Sequence, residues 1–573
     1  MPNQIHNPIL PGFFPDPSIC RVGEDYYIAN STFEWFPGVP IHHSRDLVNW
    51  RLIGHALTRP SQLDLRGIPD SAGVWAPSLS FADGQFWLIY TDLRQTGMGR
   101  PFKDIGIYLT TTTDIRGPWS DPVVLNSIGF DPSLFHDADG RKWLVNMEWD
   151  FRKTGVDRFA GIVIQEYDPR QRRLIGPMTK ILEKKKILCE GPNLYKHDGW
   201  YYLMLAEGGT GWTHGISMAR ARNILGPYEL DPQPAVLTSR EDPALALQKA
   251  GHGELVATPT GEWLLVHLAS RPLKTGAGRD LASLDKSAST DAHAGDRCVL
   301  GRETCLQRVE WREGWLRLAG GGTKPEVSVV LPNFRQVLEC ASPLALSSRT
   351  EPFESGRGLP QSKTLPRPMR DDFDSPTLNV HWSSLRVPAD ESWLSLTERR
   401  GWLRLRGRDS LFSPFTQSLI ARRVQHFQFN AETCLDFSPS HFTQMAGLVC
   451  YYDTRQHYYL RVTQDEKLGK VLGIVQTDEG VYVELADSHL VINDWKNIFL
   501  RAEVNCVKLQ FYASPDGRSW QRIGPVLDFS KLSDDYGGAL RFTGAMVGLC
   551  AQDVGGTHTI ADFDYFDYQP AGS

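Results

Sequence analysis

The chain has 573 residues, well beyond the roughly 250–300 at which one hydrophobic core stops growing, so two or more domains are expected. It is 41% hydrophobic and 22% charged, with a mean hydropathy of −0.32, and no run of about 18 apolar residues is present to span a membrane. The net charge of −6 speaks against a nucleic-acid partner, which needs a basic face.

The N-terminal stretch MPNQIHNPILPGFFPDPS lacks a basic and an apolar region of the signal-peptide kind, which predicts a cytoplasmic location. Five segments then share one plan: a polar or acidic signal, a Pro-Ser-Leu-like step, a Gly turn and an aromatic strand. They are FPDPSICRVGEDYYIA at Asp16, WAPSLSFADGQFWLIY at Trp75, FDPSLFHDADGRKWLV at Asp131, CEGPNLYKHDGWYYLM at Glu190 and GHGELVATPTGEWLLV at His252. Aligned on Pro17, Pro77, Pro132, Pro192 and Gly253, they are spaced by 60, 55, 60 and 61 residues. Further strands, such as GIYLTTT and GIVIQEY, follow within the repeats, and helical periodicity is scarce. Repeats of this length, each of about four strands, predict a five-bladed β-propeller over residues 1–322. The first strand of every blade lines the axis, so Asp16, Trp75, Asp131, Glu190 and His252 are expected to face one pocket.

Residues 323–369 read as a linker with some strand character, ending in the Ser/Arg/Pro-rich run SSRTEPFESGRGLPQSKTLPRP. From 370 to 573 come short alternating strands, among them WLRLRG, FNAETCLDF, MAGLVCYYD, HYYLRVT and ADFDYFDY, which predict a β-sandwich. The chain is thus expected to be all-β. Its nine cysteines are scattered without a CxxC pair and read as reduced, buried thiols, not as a disulfide frame or zinc site.

Three carboxylates around one axis suit glycosidic cleavage. One acid protonates the leaving oxygen, a second carboxylate works from the opposite side, and a third raises the pKa of the acid by like-charge repulsion. A single Asp-Pro step is commonplace in turns; it is the repetition that points to a site.

The long motifs NPILPGFFPDPSICRVGEDYYIANSTFEWFPGVPI, GVWAPSLS, FDPSLFHDADGRKWLVNM, EGPNLYK and LGRETCLQ resemble glycoside hydrolase family 43, in its β-xylosidase branch, over nearly the whole chain. The resemblance implies a concanavalin-like sandwich after the propeller and exo-acting, inverting release of xylose from the non-reducing end of β-1,4-xylooligosaccharides, with no cofactor required for the chemistry. Matched position by position, it implies that Asp16 is the general base, Asp131 the carboxylate that tunes the acid, and Glu190 the general acid. It further implies that Phe33 and Trp75 are walls of the sugar pocket, that Arg302 binds substrate hydroxyls, and that Phe542, on a sandwich loop, reaches the pocket rim. His252 matches an axial histidine which in some relatives sits beside calcium or another divalent ion; here such an ion would be held largely through water. A homo-oligomer formed through the sandwich is also implied.

Two departures stand out. Asn193 replaces the histidine usual in EGPNLYK, and residues 274–295 look like an insertion placed to overhang the pocket. An α-L-arabinofuranosidase, or an enzyme doing both reactions, is the nearest alternative, because the two pentoses present similar hydroxyls to the same acid and base. A sugar-binding protein without catalysis, or a propeller scaffold for protein partners, is the more distant one.

Overall fold

The computed structural model describes residues 3–95, 101–274, 293–331, 369–538 and 541–571. Most of the expected insertion (275–292) and of the linker (332–368) therefore lies outside the described residues. The architecture is nearly all β, and among the described residues the helical content is three single turns of 3-10 helix at Gly155–Arg158, Ala486–Ser488 and Phe529–Lys531.

Each repeat forms one antiparallel sheet, and the five sheets make a five-bladed propeller. Blade 1 comprises Ser18–Val22, Asp25–Ala29, Gly38–Ser44 and Arg51–Leu57, and blade 2 Gly73–Ala82, Gln85–Gln95, Asp104–Thr112 and Val123–Asn126. Blade 3 comprises Gly129–His136, Lys142–Trp149, Phe159–Asp168 and Arg173–Leu182. Blade 4 has Cys189–His197, Trp200–Glu207, Gly215–Ala221 and the short Glu229–Leu230 and Leu237–Thr238; blade 5 has Gln248–Ala257, Trp263–Ser270, Glu303–Arg312 and Trp315–Leu318. The aromatic second strands carry apolar side chains into the spaces between blades. Trp143 and Met147 meet Leu203 and Leu205 in one such cluster, and Met204 meets Leu265 and Trp315 in the next. Burial of these large rings and branched chains is the main stabilising contribution, at about 1.5–3 kcal/mol for each fully buried side chain.

The ring is closed from its two ends. Asn3–His6 pairs antiparallel with Ser328–Leu331, so part of the stretch read as linker is a propeller strand. Asn7 then grips the third strand of blade 5, donating to the Leu306 carbonyl at 2.8 Å and accepting from the Leu306 N–H at 2.7 Å.

The second half is the expected concanavalin-like sandwich. One sheet runs Val481–Glu484, Gly469–Asp478, Gln456–Asp465, Gln444–Asp453, Met546–Asp553, Ser418–Arg423 and Ser383–Leu385. Its last strand is Trp35–Phe36, which belongs to the propeller and pairs with Ser384 and Leu385. The facing sheet is centred on Ile560–Pro570 and Gln428–Phe437. A propeller loop is thus built into a sandwich sheet, and buried charge fastens the joint. Arg386 donates to the Ile68 carbonyl and to Asp70 Oδ1, each at 2.7 Å, while Arg423 donates to the Phe13 carbonyl at 2.8 Å.

The eight described cysteines are free, and all but Cys506 are buried. Among the described residues no helix is long and apolar enough to cross a membrane.

Candidate active site

The inner strands of blades 2 to 5 break their register at the functional position. The pairing slips between Trp75 and Ser78, Phe130 and Ser133, Glu190 and Asn193, and Gly251 and Gly253. At the slip one residue takes a left-handed backbone: Ala76 (φ 36°), Asp131 (54°), Gly191 (57°) and His252 (37°), with Asp16 (50°) in the same place before blade 1. This conformation costs about 1–3 kcal/mol for a residue with a Cβ, and such strain gathers where a side chain must be aimed. It agrees with the alignment on Pro and Gly and refines which axial residues are equivalent. Asp16, Asp131 and His252 are strictly equivalent, whereas Trp75 and Glu190 stand one residue before the left-handed position. In blade 4 that position is glycine for a second reason, since a Cβ on Gly191 would lie 3.1 Å from both His252 Nε2 and the Ala206 methyl.

All three carboxylates are buried, with 5–8% of their surface exposed. Asp16 is held on both oxygens: the Ser31 hydroxyl donates to Oδ2 at 2.6 Å, and Arg302 Nη1 donates to Oδ1 at 2.8 Å. His252 Nδ1 lies 3.7 Å from the same Oδ1. Asp131 Oδ2 accepts the Gly191 N–H at 3.2 Å. Burial pushes Asp131 up to about 8, against the pull of His252 and with the charges of Glu190 and Asp16 adding to it. Glu190 is likewise pushed up to about 8, first by burial and then by the charge of Asp16, with Arg302 and Lys103 opposing. The contrast matters chemically. A carboxylate clamped by a guanidinium and a hydroxyl suits a base, while one short of donors beside another negative charge stays protonated and suits an acid.

Aromatic rings cluster beside the Asp16–Arg302 pair. Phe542 from the sandwich stacks on Phe33 at 6.0 Å, and Trp75 meets Phe33 at 6.0 Å and Phe542 at 5.4 Å. The Phe542 N–H donates to Ser71 Oγ at 3.1 Å, and its carbonyl accepts Arg302 Nη2 at 2.9 Å. Arg302 is therefore a clamp joining Asp16 to the sandwich loop, not an isolated ligand for hydroxyls. Trp75 is fixed by its indole N–H, which donates to the Ser71 carbonyl at 3.0 Å.

Three further participants carry no signal in the repeat. Ser31 orients Asp16 and also accepts the Ala76 N–H at 2.7 Å, tying blade 1 to blade 2. The Lys103 ammonium lies over the rings of Trp75 (5.6 Å) and Trp149 (4.9 Å), and burial pulls it down to about 8 although Glu190 holds it up. Trp149 continues the wall beyond Trp75 through Phe130, at 6.0 and 5.5 Å respectively. Lys103 comes from the connection between the second and third strands of blade 2 and Trp149 from the last position of the second strand of blade 3, both outside the repeated motif.

Below the carboxylates the axis holds a cavity with room for a water-sized molecule, lined by Ser18, Ser78, Asp131, Asn193, His252 and Glu254. Asn193 turns into this cavity and donates to the Gly253 carbonyl at 3.3 Å. The donors do not fit a calcium cage, which takes 6–8 oxygens. His252 offers a nitrogen, Glu254 is pushed up to about 8 by burial, and among the described residues no three His, Cys, Asp or Glu side chains converge as ligands.

An aromatic wall beside one clamped and two proton-retaining carboxylates on a propeller axis is the site of a glycosidase. The chain belongs to glycosyl hydrolases family 43, whose model matches residues 5–316, and the β-xylosidase C-terminal concanavalin A-like domain matches residues 370–569. Among its relatives are a β-xylosidase of Bacillus subtilis, 45% identical over 99% of both chains, and a xylosidase/arabinosidase 43B of Humicola insolens, 45% identical over 99% of this chain and 98% of that one. The crystal structure of a xylan β-1,4-xylosidase from Bacillus halodurans C-125 is 50% identical, covers 99% of this chain and 100% of its own, and superposes with a TM-score of 0.87.

Proposed function

We propose that this enzyme removes single xylose units from the non-reducing end of β-1,4-xylooligosaccharides with inversion at the anomeric carbon. The observation that carries the reading is the aromatic cluster of Phe542, Phe33 and Trp75 beside the Asp16–Arg302 pair, a wall that would stop a sugar chain after its terminal unit. Asp16 takes a proton from water as the water attacks C1. Glu190 gives its proton to the departing oxygen, kept protonated by its burial and by the charge of Asp16, while Asp131 accepts the neighbouring Gly191 N–H and so positions the acid. The names of the relatives support xylose, and the Humicola enzyme's name supports an arabinofuranosidase activity alongside it.

Proton NMR during hydrolysis of xylotriose tests the reading. α-Xylose and xylobiose are expected as first products; β-xylose, or internal cleavage, would refute it. Parallel assays on p-nitrophenyl β-xyloside and α-arabinofuranoside measure the second activity.

The acid must be protonated, so kcat/KM is expected to fall as pH rises through about 8, where Glu190 ionises. The Lys103 charge favours ionised Glu190, and removing that charge raises the acid's pKa. In Lys103→Met the alkaline limb should accordingly move to higher pH. A limb that stays in place or moves down, followed on p-nitrophenyl xyloside, contradicts this assignment.

A further inference from the structure

The geometry points to an additional sugar-binding platform, formed by Phe102 and Phe151, for the second sugar on the leaving-group side of the cleaved bond; the inference rests on the xylosidase reading above. In each blade the connection between second and third strands rises around the mouth of the pocket, because the second strand runs antiparallel to the inner strand and ends beside its start, as Leu93 pairs with Gly73 and Glu148 with Gly129. Phe102 lies on this connection in blade 2, and Phe151 on that of blade 3. The two connections are bound together, since the Trp149 indole N–H donates to the Pro101 carbonyl at 2.8 Å. The two phenyl rings meet edge to face at 4.9 Å.

Exposure rises along the wall. Phe33 and Phe130 are 2% and 4% exposed, Trp75 and Trp149 are half-buried, and Phe151 and Phe102 reach 44% and 53%. Isolated exposed phenyl groups are ordinary on protein surfaces. These two touch each other and continue an aromatic series that starts at Phe33. Lys103, next to Phe102, lies over Trp75 and Trp149 and interacts with Glu190, so the acid faces the sugar leaving toward this side. A xylose ring presents apolar C–H faces, and an edge-to-face pair holds one phenyl face rigid for it at little entropic cost.

The test compares kcat/KM for xylotriose and xylobiose in the full-length enzyme and in Phe151→Ala, Phe102→Ala and the double variant. The xylotriose-to-xylobiose ratio is expected to fall about threefold in the double variant, the loss of one stacking contact. A ratio that stays within about 1.5-fold of the parent overturns the proposal, even if both values drop together, because a purely structural lesion lowers them in parallel. Failure of the unsubstituted enzyme to release xylose from xylobiose would instead overturn the xylosidase reading, and the platform with it. Both side chains are largely exposed, so folding is expected to survive, and thermal unfolding of each variant checks this.

Discussion

Replacing Glu190 with alanine is expected to lower kcat/KM on xylobiose about 10³-fold, the usual contribution of a positioned general acid, and to leave hydrolysis of 2,4-dinitrophenyl β-xyloside within about tenfold of the parent. The difference follows from the leaving group. A sugar alkoxide cannot depart without a proton, whereas dinitrophenolate needs none. The fold should hold, since the Glu190 side chain is a buried acid whose ionisation is unfavourable in the native state. Its folded pKa lies above the unfolded value, so the native state is penalised progressively as pH rises from about 4.5 to about 8 and by a constant amount above that. Glu190→Ala should consequently unfold at the same or higher temperature than the parent at pH 9. Equal losses on the two substrates would remove Glu190 from the acid's role, and undiminished turnover of xylobiose would discard the mechanism.

The residues proposed to act here differ in how far their sequence announces them. Asp16, Asp131 and His252 were legible because a left-handed residue at or just before the inner strand recurs in every blade, and the repeat reports it as a fixed step before Pro or Gly. Glu190 and Trp75 were found in the same segments, although the structure sets them one residue earlier. The alignment on Pro and Gly already sets them two residues before the anchor instead of one, and the structure gives the reason: Ala76 and Gly191 take the positive φ there. The sandwich strands were readable as apolar alternation, as in Ile498–Asn505, where buried residues alternate with more exposed ones. Lys103 and Trp149 were not readable. Lys103 sits on a connection and Trp149 at the end of a second strand, both beyond the repeated segments, and only the packing of blade 3 against blade 2 brings them together near Glu190. Trp35–Phe36 was hidden for another reason. Two residues carry no periodicity, and their pairing with Ser384 and Leu385 depends on a domain more than 300 positions away.

Removing the Arg302 guanidinium tests whether the sandwich belongs to the catalytic site. The side chain is 1% exposed; one nitrogen is bonded to Asp16 Oδ1 and another to the Phe542 carbonyl, and its charge center lies 5.4 and 5.7 Å from the Phe33 and Phe542 rings. Breaking a buried ion pair from one side leaves an uncompensated charge, which typically costs 3–5 kcal/mol. Arg302→Met is expected to lose about 3 kcal/mol of stability and at least about 10²-fold in kcat/KM, since Asp16 loses the partner that orients it. The diagnostic variant is Asp16→Asn with Arg302→Met. The neutral side chains leave no stranded charge, so the double variant should regain much of the unfolding temperature lost in Arg302→Met while remaining inactive. Additive destabilisation would show that the two residues are not coupled. Coupling would mean that the base is held through Arg302 by the same contact that seats Phe542, so that the propeller and sandwich form the pocket together and docking of the second domain completes the first.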